Sequence, residues 1–231
     1  MDKITAVLFD KDGTLFDFHA SWAGWAAAIL SDLAAGDAGQ AARLGQVIGF
    51  DIGTGRFAPD SLVIAGTPEQ VAAQLLPELP GLSRGALVDR MNAAATRAPI
   101  RPVVPLGPLL ARLAGRGLRL GVATNDAEAP ARAHLRAAGV EGQFDFIAGS
   151  DTGHGAKPGA GQLRAFAAAV GQRPDSVLMV GDSRHDLMAG RAAGMVTVGV
   201  LTGPAGRADL ADLADAVLPD IGHLPDWLRD R

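Results

Sequence analysis

The sequence predicts an α/β fold, a doubly wound parallel sheet carrying an inserted block of helices. Three observations lead there. An apolar run, Ile4 to Phe9, stops abruptly at Asp10-Lys11-Asp12-Gly13-Thr14-Leu15. Residues 17–98 are rich in alanine and broken by Gly and Pro punctuation. From residue 99 onward, short apolar runs alternate with helical stretches, the pattern of parallel strands joined by crossover helices.

The elements follow in order. Residues 4–9 form the first strand. Trp22 to Leu33, Ala38 to Ile48, Pro68 to Leu76 and Arg84 to Ala95 have the spacing of about four helices. Between them, residues 50–67 are the least regular segment and are expected to reach toward another surface. Pro99-Ile100-Arg101-Pro102 is a return linker. Residues 106–116 form a helix and 118–123 a strand. Asn125 stands three residues before Glu128, a capping-box spacing that predicts a helix start. Residues 144–148 form a strand, 161–170 a helix, 176–180 a strand, 184–193 a helix and 196–201 a strand. The helical block separates the first strand from the rest of its sheet. The expected organisation is therefore a core of residues 1–16 and 99–231 with a helical cap of residues 17–98.

Composition narrows the function. A chain of 231 residues can bury a substantial core, and 48% of it is apolar, which argues against disorder. A net charge of −4 gives no general attraction to nucleic acid or to anionic membranes. The absence of cysteine excludes disulfides, thiolate catalysis and cysteine-bound zinc. No run approaches the roughly 18 apolar residues of a membrane span, and the apolar run cut off by Asp10 is too short for a signal-peptide core. A soluble cytoplasmic protein is expected. Lysine is scarce: only Lys3, Lys11 and Lys157 occur, so each is worth inspecting.

The chemistry concentrates just after strands. Asp10 and Asp12 lie two apart at the end of the first strand, and Gly13 lets the chain turn sharply after them. Thr124 and Asn125 follow a second strand. Asp182 and Asp186 follow a third, and Lys157-Pro158 lies in a loop. In a parallel sheet such positions converge on one edge. Together they supply carboxylates, a hydroxyl, an amide and a cation. Hard oxygen donors without sulfur suit Mg²⁺, and a lysine beside such a cation suits a phosphoryl group. Each segment alone has a plainer reading. Asp182 and Asp186 could cap a helix, Asn125 is a common cap, and Asp10 to Gly13 could be an acidic turn. A calcium loop of the EF-hand kind would need glycine at its sixth position and glutamate at its twelfth, and neither is present. Co-occurrence carries the argument.

With these segments in view, the chain resembles the haloacid dehalogenase superfamily in its phosphatase branch. The residues that carry the resemblance are Asp10-Lys11-Asp12-Gly13-Thr14-Leu15, Thr124-Asn125, Lys157-Pro158 and Gly181-Asp182-Ser183-Arg184-His185-Asp186. The resemblance implies that Asp10 is the nucleophile and forms an aspartyl-phosphate. It implies that Asp12 protonates the leaving alcohol and then activates water. Thr124, Asn125 and Lys157 would bind the phosphoryl oxygens. Mg²⁺ would be held by Asp10, the backbone carbonyl of Asp12, Asp182 and Asp186. Asp12 argues against a dehalogenase, which lacks the second acid. The absence of lysine from 17–98 argues against a Schiff-base phosphonate hydrolase. A small phosphorylated metabolite is the implied substrate, with 2-phosphoglycolate leading. A sugar phosphomutase and a non-catalytic interaction domain are the alternatives. His19, at the start of the cap, and Arg56, in the irregular segment, are candidate substrate contacts.

Overall fold

The computed structural model describes residues 3–230. Strand β1 (Ala6–Phe9) leads through an acidic loop into α1 (Phe18–Leu33) and α2 (Ala38–Val47). A short hairpin of β2 (Phe50–Asp51) and β3 (Arg56–Phe57) follows, then α3 (Pro68–Leu75) and α4 (Arg84–Ala95). The chain returns through α5 (Leu106–Ala114), β4 (Arg119–Ala123), α6 (Glu128–Ala137) and β5 (Phe146–Ala148). It continues with α7 (Gly161–Ala169), β6 (Val177–Gly181), α8 (Arg184–Ala193) and β7 (Val196–Val200). The last elements are α9 (Arg207–Leu210), β8 (Ala216–Leu218) and α10 (Leu224–Trp227).

Among the described residues the main sheet has the strand order β5-β4-β1-β6-β7-β8, with every pair parallel. The first strand in sequence is thus central, with later strands added on both sides of it. That reversal of strand order opens a crevice at the carboxyl ends of the strands. The register puts Phe9 level with both Val122 and Val180. The residues that follow each of these three strands therefore emerge together.

The side-chain alternation of β1 explains why both faces of the sheet are covered. Val7 and Phe9 join Leu110, Leu113 and Leu135 of α5 and α6 on one face. Ala6 and Leu8 join Leu163 and Phe166 of α7 and Ala189 of α8 on the other. Each fully buried Leu or Phe contributes about 1.5–3 kcal/mol relative to exposure.

Residues 18–95 pack a separate apolar core around Trp25, Leu30, Leu44, Leu75, Leu87 and Met91. Its four helices each begin on a side-chain cap: Asp17, Asp37, Thr67 and Ser83 accept from backbone N–H groups of the first turn. The two chain segments that join this block to the sheet lie side by side. Asp17 N–H donates to the Arg101 carbonyl at 2.8 Å, and Val103 N–H donates to that of Leu15 at 3.0 Å.

Two expectations need correction. The helix after β4 starts at Glu128 with Ala127 at its cap, because the Asn125 side chain is engaged elsewhere. The irregular segment 50–67 is no plain loop but holds the β2–β3 hairpin and a 3₁₀ turn at Leu62–Ile64, while it does reach another surface as expected, its Ala65 carbonyl accepting from Asn125 of the core. No helix among the described residues is long and apolar enough to cross a membrane.

Candidate active site

The strand ends bring the predicted segments to one place. Asp10, directly after β1, is 7% exposed. Lys157 reaches it from the loop before α7. The Lys157 ammonium lies 2.5 Å from Asp10 Oδ1, 2.6 Å from Asp186 Oδ1 and 2.8 Å from the Ala123 carbonyl oxygen. Its three donors are thus matched by three acceptors. Burial works against this ammonium, but Asp10 and Asp186 outweigh it and push the lysine above its ordinary value.

Asp182 follows β6 and is buried beside Asp10. Its Oδ1 accepts from the Thr14 hydroxyl at 3.3 Å. Gly13 makes the approach feasible. Its φ of +84° is left-handed, and a Cβ there would fall on the Asp182 carboxylate. Asp186, in the first turn of α8, accepts on Oδ2 from the backbone N–H and hydroxyl of Ser183, at 3.0 and 2.7 Å. Asp186 therefore caps its helix and fixes Lys157 at once.

Carboxylate oxygens of Asp10, Asp182 and Asp186 lie within 4.8 Å of one another, all buried. Three buried carboxylates around one ammonium leave an excess of negative charge. Burial, opposed by Lys157 and reinforced by Asp186 and Asp12, pushes Asp10 up to about 7. Burial, reinforced by Asp10 and Asp186, holds Asp182 well above the usual carboxylate range. Such a cluster is stabilised by a divalent cation, and its all-oxygen donor set suits a hard one. The residues present fit the metal that the sequence implies. The side chain of Asp12 is not in the cluster; its Oδ2 is ion-paired to Lys11 at 2.7 Å.

Thr124 and Asn125 follow β4 and line the same cavity as Asp10, Asp12 and Lys157. The Asn125 side chain is fully occupied. It accepts from Lys157 N–H at 2.8 Å and donates to the carbonyls of Lys157 and Ala65, at 2.9 and 2.7 Å. Its amide therefore clasps the lysine loop to the helical block, which leaves it no hydrogen to donate to a phosphoryl oxygen. Thr124 Oγ1 accepts from Asp126 N–H at 3.1 Å and keeps its own hydrogen to donate. Gln162 supports the turn by donating to the Thr124 carbonyl at 3.0 Å.

The two candidate substrate contacts stand apart. His19 is exposed and packs near the rings of Phe18 and Phe57, with centroids 5.6 and 6.5 Å away. Arg56 is exposed on the hairpin. Neither lines the cavity that holds Asp10. The helical block closes that cavity with Phe18, Trp22, Trp25, Ile64, Val71 and Met91.

Sequence reasoning assigned no role to Lys11, Asp126 or His134, which form a buried polar group beside Asp12. The scarcity of lysine was the available signal for Lys11. Asp126 and His134 carried none, because a helix-start acid and a helical histidine are ordinary.

The chain is similar to known proteins along most of its length. The family model for haloacid dehalogenase-like hydrolase matches residues 4–194. The phosphoglycolate phosphatase of Neisseria meningitidis is 32% identical over 228 residues, covering 98% of this chain and 93% of that protein. The phosphoglycolate phosphatase of Rhodospirillum rubrum is 43% identical over 121 residues, a match that takes in 52% of this chain and spans only 50% of that relative's length. A crystal structure of a predicted phosphoglycolate phosphatase from Haemophilus somnus superimposes with a TM-score of 0.77, covering 99% of this chain and 100% of that one. At 18% identity the last match speaks for the fold alone.

Proposed function

This chain belongs to the haloacid dehalogenase-like hydrolases and is phosphoglycolate phosphatase-like along its length, and from that premise we propose that it hydrolyses a small-metabolite phosphomonoester through an aspartyl-phosphate on Asp10. The observation that carries the proposal is the Lys157 ammonium 2.5 Å from Asp10 Oδ1, inside a cluster of buried acids. A carboxylate nucleophile and a phosphate dianion repel each other, so attack needs positive charge at that point.

In the first step an Asp10 oxygen bonds to phosphorus as the bond to the ester oxygen breaks, and Asp12 gives the departing alkoxide its proton. In the second, Asp12 takes a proton from water, the water oxygen bonds to phosphorus, and the Asp10–phosphorus bond breaks. Inorganic phosphate leaves, and both acids return to their starting forms. Lys157 and the Thr124 hydroxyl stabilise the phosphoryl oxygens, while Asn125 keeps Lys157 in place. Asp10, Asp182 and Asp186, with the backbone carbonyl of Asp12, would hold Mg²⁺, which supplies further charge neutralisation at the phosphoryl group. Residues 17–98 act as a cap that closes over the site and excludes bulk water, hinged at Asp17 and residues 99–102.

The relatives named above make 2-phosphoglycolate the first substrate to assay. The cavity wall favours a second reading. Its cap side is mostly apolar, with Thr67 and Asn92 as its neutral polar side chains, and Lys157, the one lysine or arginine among the described lining residues, is already engaged. Burying a second carboxylate there without a lysine or arginine to pair it is costly, so an ester of an uncharged alcohol fits better.

Phosphate release from 2-phosphoglycolate and from uncharged alkyl and aryl phosphates, with Mg²⁺ and with chelator, tests both readings. Metal-dependent turnover that Asp10→Asn abolishes supports the phosphatase. Turnover that survives Asp10→Asn rules out this mechanism. Conversion of a sugar phosphate to its isomer without phosphate release would instead mark a phosphomutase.

A further inference from the structure

Lys11 stands between the two catalytic acids in sequence, and its side chain is fully buried. A buried ammonium is costly unless it is paired with opposite charge. Here the ammonium lies 2.7 Å from Asp12 Oδ2, 3.1 Å from Asp126 Oδ2 and 3.0 Å from His134 Nδ1. The Trp22 ring, from the first cap helix, has its centroid 5.3 Å away. An ammonium can only donate, so His134 Nδ1 must accept and Nε2 must carry the hydrogen. Nε2 then donates to the carbonyl of Ala95 at 2.8 Å, at the end of the last cap helix. Burial first, and then the Lys11 charge, pull His134 down to about 4, so the imidazole is neutral as this arrangement requires.

Two consequences follow for Asp12. One of its oxygens, Oδ2, is held by Lys11, while buried Oδ1 has no hydrogen-bond partner among the described residues. Asp12 also lines the reaction cavity. We propose that Lys11 is a positioning residue that fixes Asp12 for proton transfer to the leaving oxygen, and that the cap sets the position of Lys11 through His134. The proposal rests on the phosphatase reading, in which Asp12 is the acid. It gives cap closure a chemical result beyond water exclusion, because seating Ala95 against His134 completes the support of the acid.

The test uses two esters that need the acid to different degrees, an alkyl phosphate and p-nitrophenyl phosphate. The alkoxide must be protonated as it leaves, whereas nitrophenolate leaves readily without help. With Mg²⁺ present, Lys11→Met is expected to lower kcat/KM for the alkyl ester at least about tenfold more than for the aryl ester, within the range that general-acid catalysis covers. His134→Leu, which cuts the link to Ala95, is expected to shift the ratio in the same direction by less, and His134→Gln, which can accept and donate, to restore part of it. Should Lys11→Met fail to fold, the two His134 variants decide. Equal losses on both esters, or none, would overturn the proposal. A wild-type protein inactive on both esters would instead refute the phosphatase reading.

Discussion

The side-chain amide of Asn125, at the end of a core strand, donates to the carbonyl oxygen of Ala65 in the helical block, 2.7 Å away. The same amide holds both the N–H and the carbonyl of Lys157. One side chain thus fixes Lys157, the lysine proposed to bind the phosphoryl group, and ties it to the helical block. Asn125→Ala removes these bonds and is expected to destabilise the fold by about 1–3 kcal/mol, read as a lower melting temperature. It should also lower kcat about tenfold or more, since a small displacement of a charged group next to the reacting atoms is costly.

The triad of Asp10, Asp182 and Asp186 predicts a metal-dependent melting temperature. Mg²⁺ that binds only the folded chain stabilises it by about 2.7 kcal/mol at one hundred times its Kd. Asp182→Asn should abolish most of that shift. An equal shift in wild type and variant would place the metal elsewhere.

Lys157 lies between two buried acids, so Lys157→Met should do more than slow the reaction. It leaves Asp10 and Asp186 without their cation, and breaking a buried ion pair from one side costs about 3–5 kcal/mol. Adding Asp186→Asn to that variant should recover part of the melting temperature and none of the turnover. Denaturant unfolding and phosphate release, measured on both variants, separate the two effects.

His134 gives the fold a specific acid sensitivity. It faces Lys11, Asp12 and Asp126, and its folded value of about 4 lies below the ordinary 6.5. Between those values the unfolded chain binds the proton more readily, so stability falls as pH drops from about 6.5 toward 4. The size of the gap limits this contribution to about 3 kcal/mol. Melting curves of wild type and His134→Gln between pH 7.5 and pH 4.5 should converge toward the acid end. Parallel curves would show that His134 takes up its proton equally in the folded and unfolded chain, as an exposed imidazole does.

Much of the fold could be read before the structure. The four helices of the block show as alanine-rich runs broken by Gly and Pro, although the first begins at Phe18 rather than Trp22, and β1, β4, β6 and β7 show as short apolar runs closed by turn residues. The hairpin at Phe50–Asp51 and Arg56–Phe57 and the edge strand Ala216–Leu218 were less visible. Strands this short show no period, and their pairing depends on distant chain. For the candidate site, Asp10, Thr124, Lys157, Asp182 and Asp186 could be placed because parallel strands open on one edge. The chemistry of individual side chains was harder to foresee. Asn125 signals a helix cap, yet the approach of Ala65 and of the lysine loop claims its amide. Lys11 between two acids suggests a surface turn, yet Asp126 and His134 on the neighbouring strand–helix unit turn it into a buried hub. Such partners are set by three-dimensional convergence, which residue spacing does not encode.

Acid quenching of the protein during turnover of a phosphomonoester with Mg²⁺, followed by peptide mass analysis, asks whether Asp10 becomes phosphorylated. One added phosphoryl group is expected on the peptide that contains Asp10, removable by hydroxylamine and absent from Asp10→Asn, which also fails to release phosphate. Steady phosphate release with the label on another residue, or release that persists in Asp10→Asn, would contradict an aspartyl-phosphate on Asp10.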